Sequence, residues 1–241
     1  MTLSRDNHAL PLVLLGGTLC DARLWTPMLD HLHVSHAIVV TLDAAESAPA
    51  LSQQLLATLP PRFCLVGFSL GAIVALQMLA DAPQRVAGLA LLSVNPLADD
   101  PGNAPSRRAA VNAAREQGIG PWLSATLWPR YVAAQNLEAE HLHRTLVQMA
   151  ERAGIDTFAR QTEVAISRAD NRRALAAFRA PTLILNGAQD PICPPHHHQL
   201  AAQAAPHACH ETFADCGHFL PLEAPERLAS RLQDWLKEIN T

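Results

Sequence analysis

Residues 63–80 carry the feature that most restricts how this chain can fold. An apolar run, Phe63-Cys64-Leu65-Val66, leads into Gly67-Phe68-Ser69-Leu70-Gly71, and a helical pattern follows from Ala72 to Ala80. The pattern predicts a strand, a reversal within one residue, and a helix, which is the setting a G-x-S-x-G turn requires. Such a reversal brings strand and helix backbones close together, so the two flanking positions need residues without a Cβ. It also leaves Ser69 at the tip of the turn and at a helix N-terminus, where backbone N–H groups point towards developing negative charge.

A serine hydroxyl is a weak nucleophile by itself. It needs a base, and the base needs an orienting carboxylate. Pro181-Thr182-Leu183-Ile184-Leu185 reads as a buried strand, and Asn186 to Pro191 as the loop leaving it. Asp190 therefore falls just past a strand's C-terminal end, where open α/β sheets hold their working groups. His210-Glu211-Thr212-Phe213 reads as a last short strand, and Asp215-Cys216-Gly217-His218 turns out of it. The chain order is Ser69, Asp190, His218.

Four segments together resemble the α/β-hydrolase superfamily, in particular small esterases and lactonases with a helical lid. They are Leu14-Leu15-Gly16-Gly17-Thr18, GFSLG around Ser69, LILNGAQDPICPP around Asp190 and CGHFLPLEAPERL around His218. The resemblance implies Ser69 as nucleophile, His218 as base and Asp190 as its partner. It also implies an oxyanion hole from the backbone N–H groups of Thr18 and Leu70. The chain has Gly16-Gly17 where the family usually has His-Gly, although the Trp that often follows nine residues on is present as Trp25.

Alternating apolar runs and helical patterns predict a parallel sheet of six strands, near 12–15, 36–41, 63–66, 89–93, 182–185 and 210–213. The expected strand order is 2-1-3-4-5-6. Relatives usually carry an antiparallel hairpin before the first strand, and the ten residues available here predict its absence. Residues 97–177 break the alternation with amphipathic helical stretches at 106–117, 121–134, 138–153 and 157–167. This segment is the expected lid, inserted into an α/β core of residues 1–96 and 178–241. Trp122, Trp128, Tyr131 and Phe158 are its candidate pocket residues, with Leu127 and Met149 beside them. Arg107, Arg108, Arg130 and Arg144 on the same segment suit an anionic substrate or an acyl carrier.

Composition excludes several other classes. A net charge of −4, with no long basic block, argues against nucleic acid. No apolar run is long enough to cross a bilayer. The single lysine, Lys237, is far from every motif, which disfavours Schiff-base chemistry. Five scattered cysteines and no secretory leader point to a reducing, cytoplasmic setting, with a Cys209–Cys216 disulfide not expected. The run His196-His197-His198 offers no metal site, because neighbouring helical side chains diverge by about 100°. Asp215 and Asn95 are weaker rivals to Asp190: the first is a turn residue, and the second is an amide that cannot offset an imidazolium charge.

These readings converge on a hydrolase without cofactor or metal. It would cleave a carboxylic ester, thioester or lactone of a small acyl substrate, free or carrier-bound, through an acyl-enzyme. The same three residues also serve lyases, C–C hydrolases and acyltransferases, and the scaffold serves some non-catalytic binding proteins. Lyases of this fold that complete menaquinone precursors carry a basic residue soon after the turn, where Ala72-Ile73-Val74 offers none.

Overall fold

A computed structural model describes residues 10–239. Six parallel strands form one sheet: β1 (Leu12–Leu15), β2 (Ala37–Val40), β3 (Phe63–Phe68), β4 (Val86–Leu92), β5 (Thr182–Gly187) and β6 (Cys209–Phe213). Their spatial order is β2-β1-β3-β4-β5-β6, as expected. The proposed absence of an N-terminal hairpin concerns residues 1–9, outside the described residues.

Both faces of the four central strands, β1, β3, β4 and β5, are buried, and the two-residue period of a strand divides its side chains between two cores. Leu12 and Leu14 of β1, Cys64, Val66 and Phe68 of β3, and Leu183 and Leu185 of β5 enter one core. Val13 and Leu15, Phe63 and Leu65, and Ile184 enter the other. The first core receives α1 (Thr26–Leu29). The second is covered by α2 (Ala48–Thr58) and α3 (Leu70–Asp81), whose apolar residues pack directly on the sheet.

Between β4 and β5 the chain forms α4 (Ala104–Gln117), α5 (Ile119–Thr126), α6 (Trp128–Tyr131), α7 (Glu140–Ile166) and α8 (Arg172–Ala177). The expected helix over 121–134 is broken at Leu127, because Pro129 lies in the first turn of α6 and cannot continue α5. The two stretches expected at 138–153 and 157–167 join as α7, interrupted at Gly154 by a non-helical conformation with φ 76°. After β5 come α9 (Pro195–Ala204), α10 (Leu220–Glu223) and α11 (Pro225–Ile239). Leu228, Leu232 and Trp235 of α11 pack into the first core. Among the described residues no helix is long and apolar enough to cross a membrane, and all five cysteines are free.

Candidate active site

All the strands run the same way, so the loops leaving β3, β5 and β6 emerge at one edge of the sheet. The loop after β3 is the sharp turn. Ser69 has φ 53° and ψ −112°, a conformation that costs a non-glycine residue about 1–3 kcal/mol. The flanking glycines make the turn possible. A Cβ at Gly71 would lie 2.1 Å from the Leu15 carbonyl oxygen, and one at Gly67 would lie 2.5 Å from the Gly71 carbonyl oxygen. Both contacts are with backbone, which cannot move aside without separating α3 from the sheet.

The three sequence-predicted side chains meet above that edge. His218 Nε2 lies 2.9 Å from Ser69 Oγ, and its Nδ1 lies 2.7 Å from Asp190 Oδ2. Asp190 is 2% exposed and His218 equally so, which removes competing water from the imidazole–carboxylate bond. The other Asp190 oxygen accepts from the Ile192 and Cys193 N–H groups at 2.8 and 2.9 Å. Burial alone would raise the Asp190 carboxyl. The His218 charge and hydrogen bond, joined by the two backbone donors, outweigh it and hold the group below the usual carboxylate range. A carboxylate held this way fixes the imidazole tautomer, so that Nε2 can accept the serine proton. Neither rival bonds the imidazole: Asp215 pairs with Arg227, and Asn95, although it lines the same cavity as Ser69, accepts from the Leu97 N–H through its side chain.

The remaining predicted residues surround this chain of bonds. Thr18 and Leu70 border a cavity of about 410 Å³ together with Ser69 and His218. Leu70 begins α3, so its N–H has no intrahelical acceptor, and no described residue accepts from the Thr18 N–H. Trp122, Leu127, Tyr131 and Phe158 line the cavity. Trp128 and Met149 are not part of its wall: the Trp128 ring packs on His143, with centroids 5.0 Å apart, and Met149 is buried in the first core. An apolar stripe identifies residues that must be covered, but not which neighbour covers them.

Two residues that hold the site were not singled out from sequence. Gln161 of α7 is 1% exposed and spans two loops, accepting from Leu19 N–H at 2.8 Å and donating to the Leu42 carbonyl at 2.9 Å. Leu19 itself has φ 60°, so Gln161 secures a strained loop directly after Thr18. Glu223 accepts from the N–H groups of Gly217 and Ala133 at 2.9 and 2.7 Å, and so fastens the His218 loop to the segment after α6. Both His218 and Phe219 donate their N–H to the Tyr131 carbonyl, at 2.9 and 3.0 Å. Glu223 lies within the CGHFLPLEAPERL segment, so the motif contained the residue without revealing its task.

The described residues bring one group of potential metal ligands within mutual reach, Asp190, Cys193 and His218. Two of these are already bonded to each other, and burial pushes the Cys193 thiol well above its usual range, so it is poorly suited to bind as a thiolate. The rings of His196 and His197 pack on each other, while His198 is fully buried.

A family model described as the alpha/beta hydrolase fold matches residues 41–225. The chain is 28% identical over 243 residues to the biotin biosynthesis bifunctional protein BioHC of Cellvibrio japonicus, covering 95% of this chain but 48% of that protein. It spans 64% of another relative, the dihydrolipoyllysine-residue acetyltransferase component of the acetoin cleaving system of Pseudomonas putida, also at 28% identity and over 95% of this chain. A pimeloyl-[acyl-carrier protein] methyl ester esterase of Xanthomonas oryzae pv. oryzae is 28% identical over 97% of both chains. Among solved structures, a thermophilic esterase from Thermogutta terrifontis superimposes with a TM-score of 0.83 at 24% identity, covering 96% of this chain and 91% of that one. This last likeness speaks to the fold alone.

Proposed function

This chain belongs to the alpha/beta hydrolase fold family, and on that premise we propose that it is a serine hydrolase of carboxylic esters, thioesters or lactones. The observation that carries the reading is the unbroken hydrogen-bonded chain from Ser69 through His218 to Asp190 at a cavity wall. His218 Nε2 takes the proton of Ser69 Oγ as the oxygen attacks the acyl carbon. The developing oxyanion turns towards the N–H groups of Thr18 and Leu70, each contributing about 3–4 kcal/mol in sites of this kind. Asp190 offsets the imidazolium charge without accepting its proton. His218 then protonates the leaving alcohol or thiol, and a water activated by the same nitrogen releases the acyl group from Ser69.

In this reading α4–α8 act as the lid. The esterase named among the relatives supports an ester as the bond cleaved and leaves open both free and carrier-bound acyl groups. The test is direct. A fluorophosphonate should label Ser69 alone, and Ser69→Ala should lower p-nitrophenyl ester turnover by at least a thousandfold while the thermal melt stays cooperative. Full turnover by the alanine variant would overturn the assignment.

A further inference from the structure

The cavity is polarised along α7 and the residues that follow it. Phe158, Gln161, Thr162 and Ala165 of α7 line it at the three- and four-residue spacings that share a helix face, and Arg168, two residues past the end of α7, lines it beyond them. At 1.5 Å per residue the helical part of the row, Phe158 to Ala165, extends about 10.5 Å. At its Phe158 end the wall is aromatic, with the Trp122 and Phe158 ring centroids 5.2 Å apart. At the other end it is cationic.

There Asp99, its side chain 2% exposed, is gripped by two arginines. Arg168 approaches Oδ1 at 2.7 Å, and Arg107 spans both oxygens at 2.8 and 2.9 Å. One carboxylate neutralises one guanidinium. Arg168 is accounted for by structure: it also donates to the Leu97 and Ala165 carbonyls, tying the start of the helical segment to its end. Arg107 is surplus to that clasp. Its side chain remains 34% exposed, and it borders the same cavity as Ser69. Arg130 also lies on the cavity wall, and its guanidinium makes no hydrogen bond or ion pair with any described residue. Among the described residues no aspartate or glutamate lines the cavity.

From this imbalance we infer that the Arg107–Arg168 end is an anion subsite for a carboxylate remote from the scissile bond, so that the substrate is a half-ester of a dicarboxylic acid. The inference rests on the serine hydrolase reading for the bond cleaved, while the subsite itself stands on the arginines. A guanidinium that has spent one edge on Asp99 still has N–H groups for a second carboxylate. A neutral fatty ester would leave that charge facing apolar chain, which costs binding.

Two measurements on the full chain test this. The first compares kcat/KM for methyl half-esters of glutaric to suberic acid with methyl esters of fatty acids of equal length. The half-esters should be preferred at least tenfold at low salt. Arg107→Gln should cut that preference by tenfold to a hundredfold, chiefly through KM, and Arg107→Lys should recover part of it. The second is calorimetric titration with adipate against hexanamide, which needs no turnover. Adipate should bind more tightly, and at least tenfold more weakly to Arg107→Gln. If neutral esters are turned over, Arg107→Gln shifts the preference by less than twofold and adipate shows no advantage, the subsite is refuted and the hydrolase reading stands. If no ester is turned over and Ser69 resists labelling, yet adipate binds through Arg107, the hydrolase reading falls and the subsite remains.

Discussion

Replacing Asp190 by asparagine changes one oxygen for an NH₂ group, and the site leaves that amide little choice. The oxygen facing Ile192 and Cys193 accepts two backbone N–H groups. Turning the NH₂ towards them would strand both donors at about 1–3 kcal/mol each. The amide therefore keeps its oxygen there and places its nitrogen 2.7 Å from His218 Nδ1, where the carboxylate oxygen had been. An amide nitrogen only donates, so Nδ1 must become the acceptor and the ring proton moves to Nε2. That proton then points at Ser69 Oγ, 2.9 Å away, and the base can no longer take the serine proton. The variant also loses the charge that offsets the imidazolium. Together these should cost about 10⁴-fold in kcat, the size known for this exchange in a serine protease, which corresponds to about 5.4 kcal/mol. The assay is steady-state hydrolysis of p-nitrophenyl acetate, with circular dichroism to verify folding and fluorophosphonate labelling to follow Ser69 reactivity. A folded variant that keeps kcat within tenfold of the parent would refute the tautomer argument and remove Asp190 from the proposed mechanism.

Two further outcomes follow from buried polar groups. Gln161→Leu should orphan the Leu19 N–H and the Leu42 carbonyl, loosen the loop carrying Thr18, and lower kcat about 10- to 100-fold with a smaller change in KM; an unchanged kcat would show that Gln161 does not position that loop. His198 is fully buried with both ring nitrogens unpartnered, and desolvation lowers its pKa from 6.5 to about 3. Its folded pKa lies below the unfolded one, so the unfolded chain binds the extra proton between those values. Stability should therefore fall by up to about 1.4 kcal/mol per pH unit as the pH drops below 6.5. His198→Leu should remove that share of the slope in urea melts at pH 7.5, 6 and 5, and an identical slope in both proteins would show that His198 does not supply it.

What local sequence determines, it determines here without help. A strand needs a two-residue period or a buried apolar run, a helix needs its own period, and a reversal at Ser69 needs glycine on either side. Those requirements act within ten or so residues, so Gly67, Ser69 and Gly71 could be read directly, as could the loop positions of Asp190 and His218. Even the split within 138–167 was legible, because Gly154 interrupts the helix through its own backbone. Helix bounds were less so where Pro129 divided one apparent stretch into α5 and α6.

Other features depend on which distant surfaces meet. Trp122 and Trp128 have the same apolar character six residues apart, yet one borders the cavity and the other packs on His143. Gln161 reaches Leu19 across 142 positions, and Glu223 reaches Ala133 across 90. A hydrogen bond between separate loops imposes no spacing on the chain, because closure depends on the packing of the helices that carry its ends. The charge imbalance at Arg107, Asp99 and Arg168 is of the same kind. Sequence supplies two cations and an anion among many others, and tertiary packing alone gathers them at one end of the cavity that Ser69 borders.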